Sequence, residues 1–110
     1  MKTAIVAGTG SSGRAKLIRR YCQENMPVYL KRDFYNQHDE HAIAVYITAP
    51  RLFGLLGNGK KQIGYIKSAT AKQLHKRINK GEIIKGYVRN VLAPPNRLHP
   101  KITIELIYEH

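Results

Sequence analysis

The sequence predicts a mostly β, α+β fold: a small OB-like or SH3-like barrel of about six mainly antiparallel strands with one or two short helices. Strand-like segments follow one another along most of the chain. The last two alternate apolar and polar residues, and the prolines between them exclude a helical connection. With 110 residues, 43% of them hydrophobic, the chain can form one core but not a catalytic domain plus a cofactor domain. We therefore expect residues 1–110 to form one domain.

Six segments carry the strand pattern, and the second and third are expected to pair antiparallel. They are residues 3–8, 28–32, 42–48, 62–66, 82–92 and 101–108. Residues 49–61 contain a proline and three glycines, which predicts an irregular flap. Its apolar residues, Leu52, Phe53, Leu55 and Leu56, indicate that the flap folds back on the barrel or forms a contact surface.

Two segments carry the helix pattern. Residues 14–22 place apolar side chains on one face and basic side chains on the other. The second helix follows Ser68 or Thr70, either of which can cap it, and stops at Gly81. The residues expected to face the core are Ala15, Ile18, Cys22, Ala71, Leu74 and Ile78.

The charge balance predicts a polyanionic partner. The chain has 19 Lys and Arg against 7 Asp and Glu, a formal net charge of +12, and nucleic acid is the default ligand for such a surface. RNA is not separated from DNA by this argument. We expect no membrane association, because the chain has neither a long apolar run nor a segment with the broad apolar face of an interfacial helix.

Cysteine usage and the N-terminus bear on the compartment. Cys22 is the single cysteine, so it cannot form an internal disulfide or a CxxC motif, and it fits a reducing compartment as a small buried apolar residue. The first residues lack the length and cleavage pattern of a signal peptide. We therefore expect a cytoplasmic protein.

Residues 8–13, GTGSSG, match the dinucleotide fingerprint GxGxxG, between a predicted strand and a predicted helix, with Asp33 about twenty residues later. Too few residues follow for the further βαβ repeats of a Rossmann sheet. We therefore expect no nucleotide cofactor. Two interpretations stay open: a phosphate-binding nest with Arg14 beside it, or a tight turn that needs glycine only for its positive φ.

The order of short motifs along the chain resembles one known family. A V-A-G segment (residues 6–8) is followed by V-Y-L-K-R-D (28–33), a loop of the form N-x-x-D-x-x-A-I-A-V (36–45), I-G-Y-I (63–66), a helix and a last pair of strands. This order looks like the HIRAN domain, and the resemblance covers nearly the whole chain. The HIRAN domain is a small β-barrel found in DNA translocases of fork repair and as a freestanding or fused module in bacteria and phages.

The resemblance implies a DNA-binding module that, in the repair translocases, captures a single-stranded 3′ end. Asp39 matches the family's Asp, which accepts a hydrogen bond from the terminal 3′-hydroxyl. An ionised carboxylate suits this role, because it only accepts hydrogen bonds and repels an internal phosphate. Asn36 matches the loop Asn, Tyr65 stands at the Tyr or His of the G-[YH]-[IL] strand, and Lys67 follows as a phosphate contact.

The chain departs from the family pattern at several positions. His38 stands where the family loop commonly carries a stacking aromatic, and Ser11 and Ser12 stand where many members carry aromatics. Phe34 and Tyr35 are close enough in sequence to compensate. Residues 52–56 look like an insertion.

The remaining constellations are weaker. His38, Asp39, Glu40 and His41 are too crowded in one loop to converge on a metal, and no second cluster completes a shell. The strand tyrosines Tyr46, Tyr87 and Tyr108 fit packing at the edge of the core at least as well as base stacking. A nucleophile for hydrolysis could come only from Ser11 or Ser12, with His38 and Asp39.

The sequence therefore predicts a non-catalytic module for single-stranded DNA or DNA ends, without cofactor or metal. Arg14, Arg32 and Lys67 would contact phosphates, His38 and Tyr65 would stack on bases, and Asp39 would recognise an end. The alternatives are a nucleotide-dependent or hydrolytic enzyme that uses the GTGSSG loop, and a protein-interaction adaptor that uses the flap at residues 52–56.

Overall fold

The computed structural model describes residues 2–10, 12–37, 41–50, 55, 57–93 and 99–109. In chain order the elements are β1 (Lys2–Ala7), α1 (Ser12–Tyr21), β2 (Pro27–Arg32), β3 (Ile43–Pro50), β4 (Asn58–Ile66), α2 (Ser68–Asn79), β5 (Ile83–Leu92) and β6 (Lys101–Glu109). The strands close into an antiparallel barrel in the order β1-β4-β3-β2-β5-β6. The predicted fold, an OB-like barrel with two helices, is confirmed.

The core is formed by every second residue of the strands, whose side chains point into the barrel. On β6, Ile102, Ile104 and Leu106 are fully buried, and the half-buried Tyr108 ends the same face. Val45 of β3 meets this layer from the other side of the barrel. Each such side chain contributes about 1.5–3 kcal/mol by leaving water. Buried apolar residues therefore alternate with outward-facing residues along the strand, and this alternation is the pattern from which the strands were predicted.

Each helix covers the barrel with one apolar face. Ala15 and Ile18 of α1 are buried as predicted, and so is Cys22 just beyond its end. Burial raises the pKa of the Cys22 thiol to about 11, so the side chain stays a neutral packing group. On α2, Ala71 and Leu74 are buried and Ile78 is half-buried.

The start of α2 differs from the prediction. Lys67, not Ser68 or Thr70, is the N-cap residue, and no side chain caps the helix. The Lys67 carbonyl already accepts the Ala71 N–H at 2.9 Å, because β4 runs into α2 through this single residue and the chain has turned before Ser68 is reached. Past the end of the helix, Gly81 has φ +90°, as expected of a glycine stop.

The prediction that residues 49–61 are irregular was wrong at both ends of the segment. Ala49 pairs with Gly59 and Pro50 with Asn58, so β3 and β4 extend as a long hairpin. Cross-strand pairing overrides the weak strand preference of proline and glycine here, and Pro50 occupies the last position of its strand, where it costs least. Leu55 is 85% exposed; Leu52, Phe53 and Leu56 lie outside the described residues.

Gly64 sets the close approach of β1 and β4. A Cβ at this position would overlap the Ala7 carbonyl oxygen and lie 2.7 Å from the Val6 side chain, so only glycine fits. A β-bulge between Val45 and Tyr46 shifts the register of β3 against β4 in the same region. Bulges re-aim side chains, and this one fixes which residues of β3 and β4 share the outer face. Neither helix in the described part of the chain is long and apolar enough to cross a membrane.

Candidate nucleic-acid interface

The turn between β1 and α1 is held by contacts to the start of β6. Gly8 has φ +73°, which favours glycine. The buried Thr9 hydroxyl donates a hydrogen bond to the Pro100 carbonyl at 2.6 Å, and a Cβ on Gly10 would overlap the His99 imidazole. The first two glycines of the GxGxxG match are therefore explained by backbone conformation and packing, which favours the tight-turn interpretation.

Arg14 and Tyr65 meet beside this turn. The Arg14 guanidinium lies 5.4 Å from the centroid of the Tyr65 ring, and its Nη1 donates to the Gly8 carbonyl at 3.0 Å. Tyr65 is paired with Ala7 on one side, where Gly64 allows the close approach. A guanidinium has five N–H donors, so the groups not used by Gly8 can bind a phosphate while the tyrosine ring stays fixed beneath.

A depression lies next to Tyr65 on the outer face of the sheet. Lys31 pairs with Ala44, and Ala44 pairs with Tyr65, so the three residues form one row across β2, β3 and β4. Because Ala44 is small, the row dips at its centre. The depression has a volume of about 370 Å³ and is lined by Lys31, Tyr35, Ala44 and Tyr46 together with residues 32–34. Aromatic walls beside a lysine are suited to a nucleobase with its phosphate.

The β2–β3 loop presents Tyr35 to this depression. The Asp33 N–H donates to the Ala42 carbonyl at 2.8 Å, and the Tyr35 N–H donates to Asp33 Oδ1 at 3.2 Å, so the base of the loop is closed. Tyr35 is 94% exposed. Of the two aromatic residues that could compensate for His38, Tyr35 is the more exposed; Phe34 is 62% exposed.

Phe34 instead holds the loop against α2. Its ring packs edge-on against His75 at 6.1 Å between centroids and lies 5.0 Å from the Arg32 guanidinium. His75 is buried and also contacts the His41 ring at 5.2 Å. Burial, and then the charges of Arg32 and His41, lower the pKa of His75. A neutral imidazole is thus packed between the loop and α2.

The sequence model of the HIRAN domain matches residues 3–107. The chain belongs to the HIRAN domain family. The HIRAN domain is a DNA-binding domain.

Two solved structures share the fold of this HIRAN domain. The crystal structure of a protein from Lactobacillus plantarum has a TM-score of 0.70 and 21% sequence identity, covering 100% of this chain and 94% of that one. The crystal structure of the HIRAN domain of human HLTF has a TM-score of 0.60 and 24% identity, covering 98% and 74%. No curated protein sequence matches the chain.

The HIRAN motif residues do not all lie together. Tyr65 and Arg14 are in contact, and the exposed Lys67 follows Tyr65 at the start of α2, where the first turn carries no acidic residue and the helix dipole favours an anion. Arg32 lines the depression, and its Nη1 donates a hydrogen bond to Asn79 Oδ1 of α2 at 3.0 Å. Asn36 is half-buried in the β2–β3 loop.

Several residues of the sequence prediction lie outside the described part of the chain. These are Ser11, His38, Asp39 and Glu40, and of Ser12 only the position at the start of α1 is described. Within the described ranges, no group of three or more His, Cys, Asp or Glu side chains could hold a metal ion. The roles of these residues remain predictions.

Charge is unevenly distributed around the HIRAN barrel. Three carboxylates on the α2, β5 and β6 side form ion pairs: Glu82 with Arg77 at 3.1 Å, Glu109 with Lys85 at 3.3 Å and Glu105 with Arg89 at 3.4 Å. On the β2–β3–β4 side, Lys31, Lys60 and Lys67 form no ion pair with another described residue. These lysines are thus not neutralised by another described side chain, and Asp33, the one described carboxylate that lines the depression, accepts the Tyr35 N–H.

The sequence patterns do not single out Lys31, Ala44 or Tyr29, and Tyr46 fits edge packing at least as well as stacking. A signal for them was present. Since Ile43, Val45 and Ile47 face inward, alternation places Ala44 and Tyr46 on the outer face of β3.

Proposed function

We propose that this HIRAN domain binds single-stranded DNA on the outer face of β2, β3 and β4, at the end next to the β1–α1 turn. The observation that carries the proposal is the Arg14 guanidinium held over Tyr65, directly beside the depression at Ala44. This arrangement combines a stacking platform with a phosphate donor, the two elements that single-strand binding needs.

The proposal assigns a role to each side of the depression. Tyr65 and the exposed Tyr35 stack on bases, while Arg14, Lys31 and Lys67 contact phosphates. Bases stack on tyrosine with little sequence preference, because every base has a π face. The proposed nucleic-acid-binding residues are Ser11, Ser12, Arg14, Lys31, Arg32, Tyr35, Asn36, His38, Asp39, Tyr65 and Lys67.

A finer part of the proposal concerns DNA ends. Asp39 comes three residues after Asn36, in the same loop as Tyr35. Tyr35 borders the depression. Its carboxylate would accept the terminal 3′-hydroxyl and repel a continuing phosphate, so the domain would select a 3′ end. Such a module serves repair or replication in the cytoplasm by positioning DNA, and any helicase or nuclease activity would belong to a partner or a fused domain.

The salt dependence of binding tests the proposal. Fluorescence titration of a single-stranded oligonucleotide should give a log K that falls linearly with log salt, with a slope that corresponds to about three to five phosphates. Arg14→Ala should reduce the slope by about one phosphate.

Lys85→Ala is the matched control, because Lys85 lies on β5, opposite β4 in the barrel, and is paired with Glu109. Removing this charge should leave the slope unchanged. Binding that does not respond to salt, or equal effects of the two substitutions, would refute the proposed site.

A further inference from the structure

The depression at Ala44 has a neighbour further along the same face. A second depression of about 410 Å³ is lined by Tyr29, Leu30, Lys31, Tyr46 and Lys60. Lys31 and Tyr46 line both depressions. They therefore form a shared wall between two adjoining spaces on the outer face of β2, β3 and β4.

The walls of the second depression have the same chemistry as those of the first. Tyr29 pairs directly with Tyr46 across β2 and β3, which brings the two rings onto one face about 5 Å apart at their Cβ atoms. The Lys60 ammonium lies 4.4 Å from the centroid of the Tyr29 ring. Tyr29 is 36% exposed, so part of its ring is accessible to a ligand.

The second depression lies further along the strands, towards the β3–β4 hairpin. The first depression borders the β2–β3 loop and the row that ends at Tyr65. The second lies two residues back along β2, towards the β3–β4 hairpin that contributes Lys60. No described carboxylate lines the second depression, so a phosphate there meets no like charge from a described side chain. In the first depression Asp33 is present, and its Oδ1 accepts the Tyr35 N–H.

We propose that the DNA strand continues from the first depression into the second, where Tyr29 and Tyr46 stack on a further base and Lys60 binds its phosphate. This inference rests on the proposed function and extends it from an end-proximal contact to a path along the sheet. The ligand is a single strand, because paired bases could not enter two separate depressions. Affinity should then increase with the number of nucleotides until the path is filled.

The test compares a short oligothymidylate of about two nucleotides with a longer one of about eight, within the range that barrels of this type cover. Tyr29→Ala should lower the affinity for the long oligonucleotide about tenfold and leave the short one unchanged. Lys60→Ala, at an exposed position of β4, should lower the affinity for the long oligonucleotide about threefold and its salt slope by about one phosphate, and should leave the short oligonucleotide unchanged. Tyr29→Phe, which keeps the ring, should bind like the wild type.

Two negative outcomes are distinct. If the wild type and the variants Tyr29→Ala and Lys60→Ala all bind the long oligonucleotide with equal affinity, the extended path is refuted. The proposed binding at the first depression is then unaffected. If neither oligonucleotide binds the wild type, the proposed function fails and the path fails with it.

Discussion

Tyr65→Ala is expected to weaken binding of single-stranded DNA about 10- to 100-fold, because base stacking on an aromatic side chain contributes about 1–3 kcal/mol. Tyr65 also positions Arg14, whose guanidinium lies over its ring. Removing the ring therefore loosens a phosphate donor as well as the stacking surface. Tyr65→Phe keeps the ring and should retain most of the affinity. Fluorescence anisotropy of a labelled oligonucleotide measures both variants.

The barrel contains a matched control for this substitution. Arg77 lies 4.0 Å from the centroid of the Tyr108 ring on β6, so Tyr108→Ala removes the same type of arginine–tyrosine contact on a different side of the molecule. Its affinity for DNA should equal that of the wild type. An equal loss in both alanine variants would show that the effect comes from destabilising the barrel rather than from a site at Tyr65.

Selection of a 3′ end is expected to depend on Asp39. The wild type should bind an oligonucleotide with a free 3′-hydroxyl about tenfold more tightly than one with a 3′-phosphate, because a hydrogen bond to a charged group contributes about 1.5–3 kcal/mol and the phosphate would be repelled. Asp39→Ala should abolish the difference. Competition between the two oligonucleotides measures the ratio directly.

Asp39→Asn separates the two contributions to end selection. An amide oxygen can still accept a hydrogen bond but carries no charge, so this variant should keep part of the preference for the hydroxyl and lose the repulsion of the phosphate. Equal affinity of the wild type for both ends would exclude end capture while leaving strand binding intact.

The strands could be predicted because alternation is a local property. Ile102, Ile104 and Leu106 mark one face of β6 in the sequence as plainly as in the barrel. The start of α2 could not be predicted in the same way. Ser68 is a better N-cap than Lys67 by intrinsic preference, but the direct passage from β4 into α2 determines where the helix begins.

The candidate site could not be predicted in full, because it is formed by long-range contacts and by strand register. Arg14 and Tyr65 are 51 positions apart, and their contact follows from the close approach of β1 and β4 at Gly64. The row from Lys31 through Ala44 to Tyr65 depends on strand register, and the β-bulge next to Val45 changes that register by one residue. Family resemblance pointed to Tyr65, whereas the depression became visible only in the folded chain.

Phe34 and Tyr35 show the same limit at a single loop. Adjacent aromatics in an irregular segment have no period from which a direction can be inferred. In the structure both residues line the depression, but the Phe34 ring also contacts His75 of α2, and Tyr35 is the more exposed of the two. The contact with α2 decides between them, and that contact is long-range.

The central claim is that DNA occupies the outer face of β2, β3 and β4. Backbone amide chemical shifts of the isotopically labelled domain, recorded while a single-stranded oligonucleotide is added, test it most directly. We expect the largest changes at Lys31, Ala44 and Tyr65, while Lys85 and Arg89 on β5 stay unchanged. Changes centred on β5 and β6, with Ala44 and Tyr65 unaffected, would contradict it.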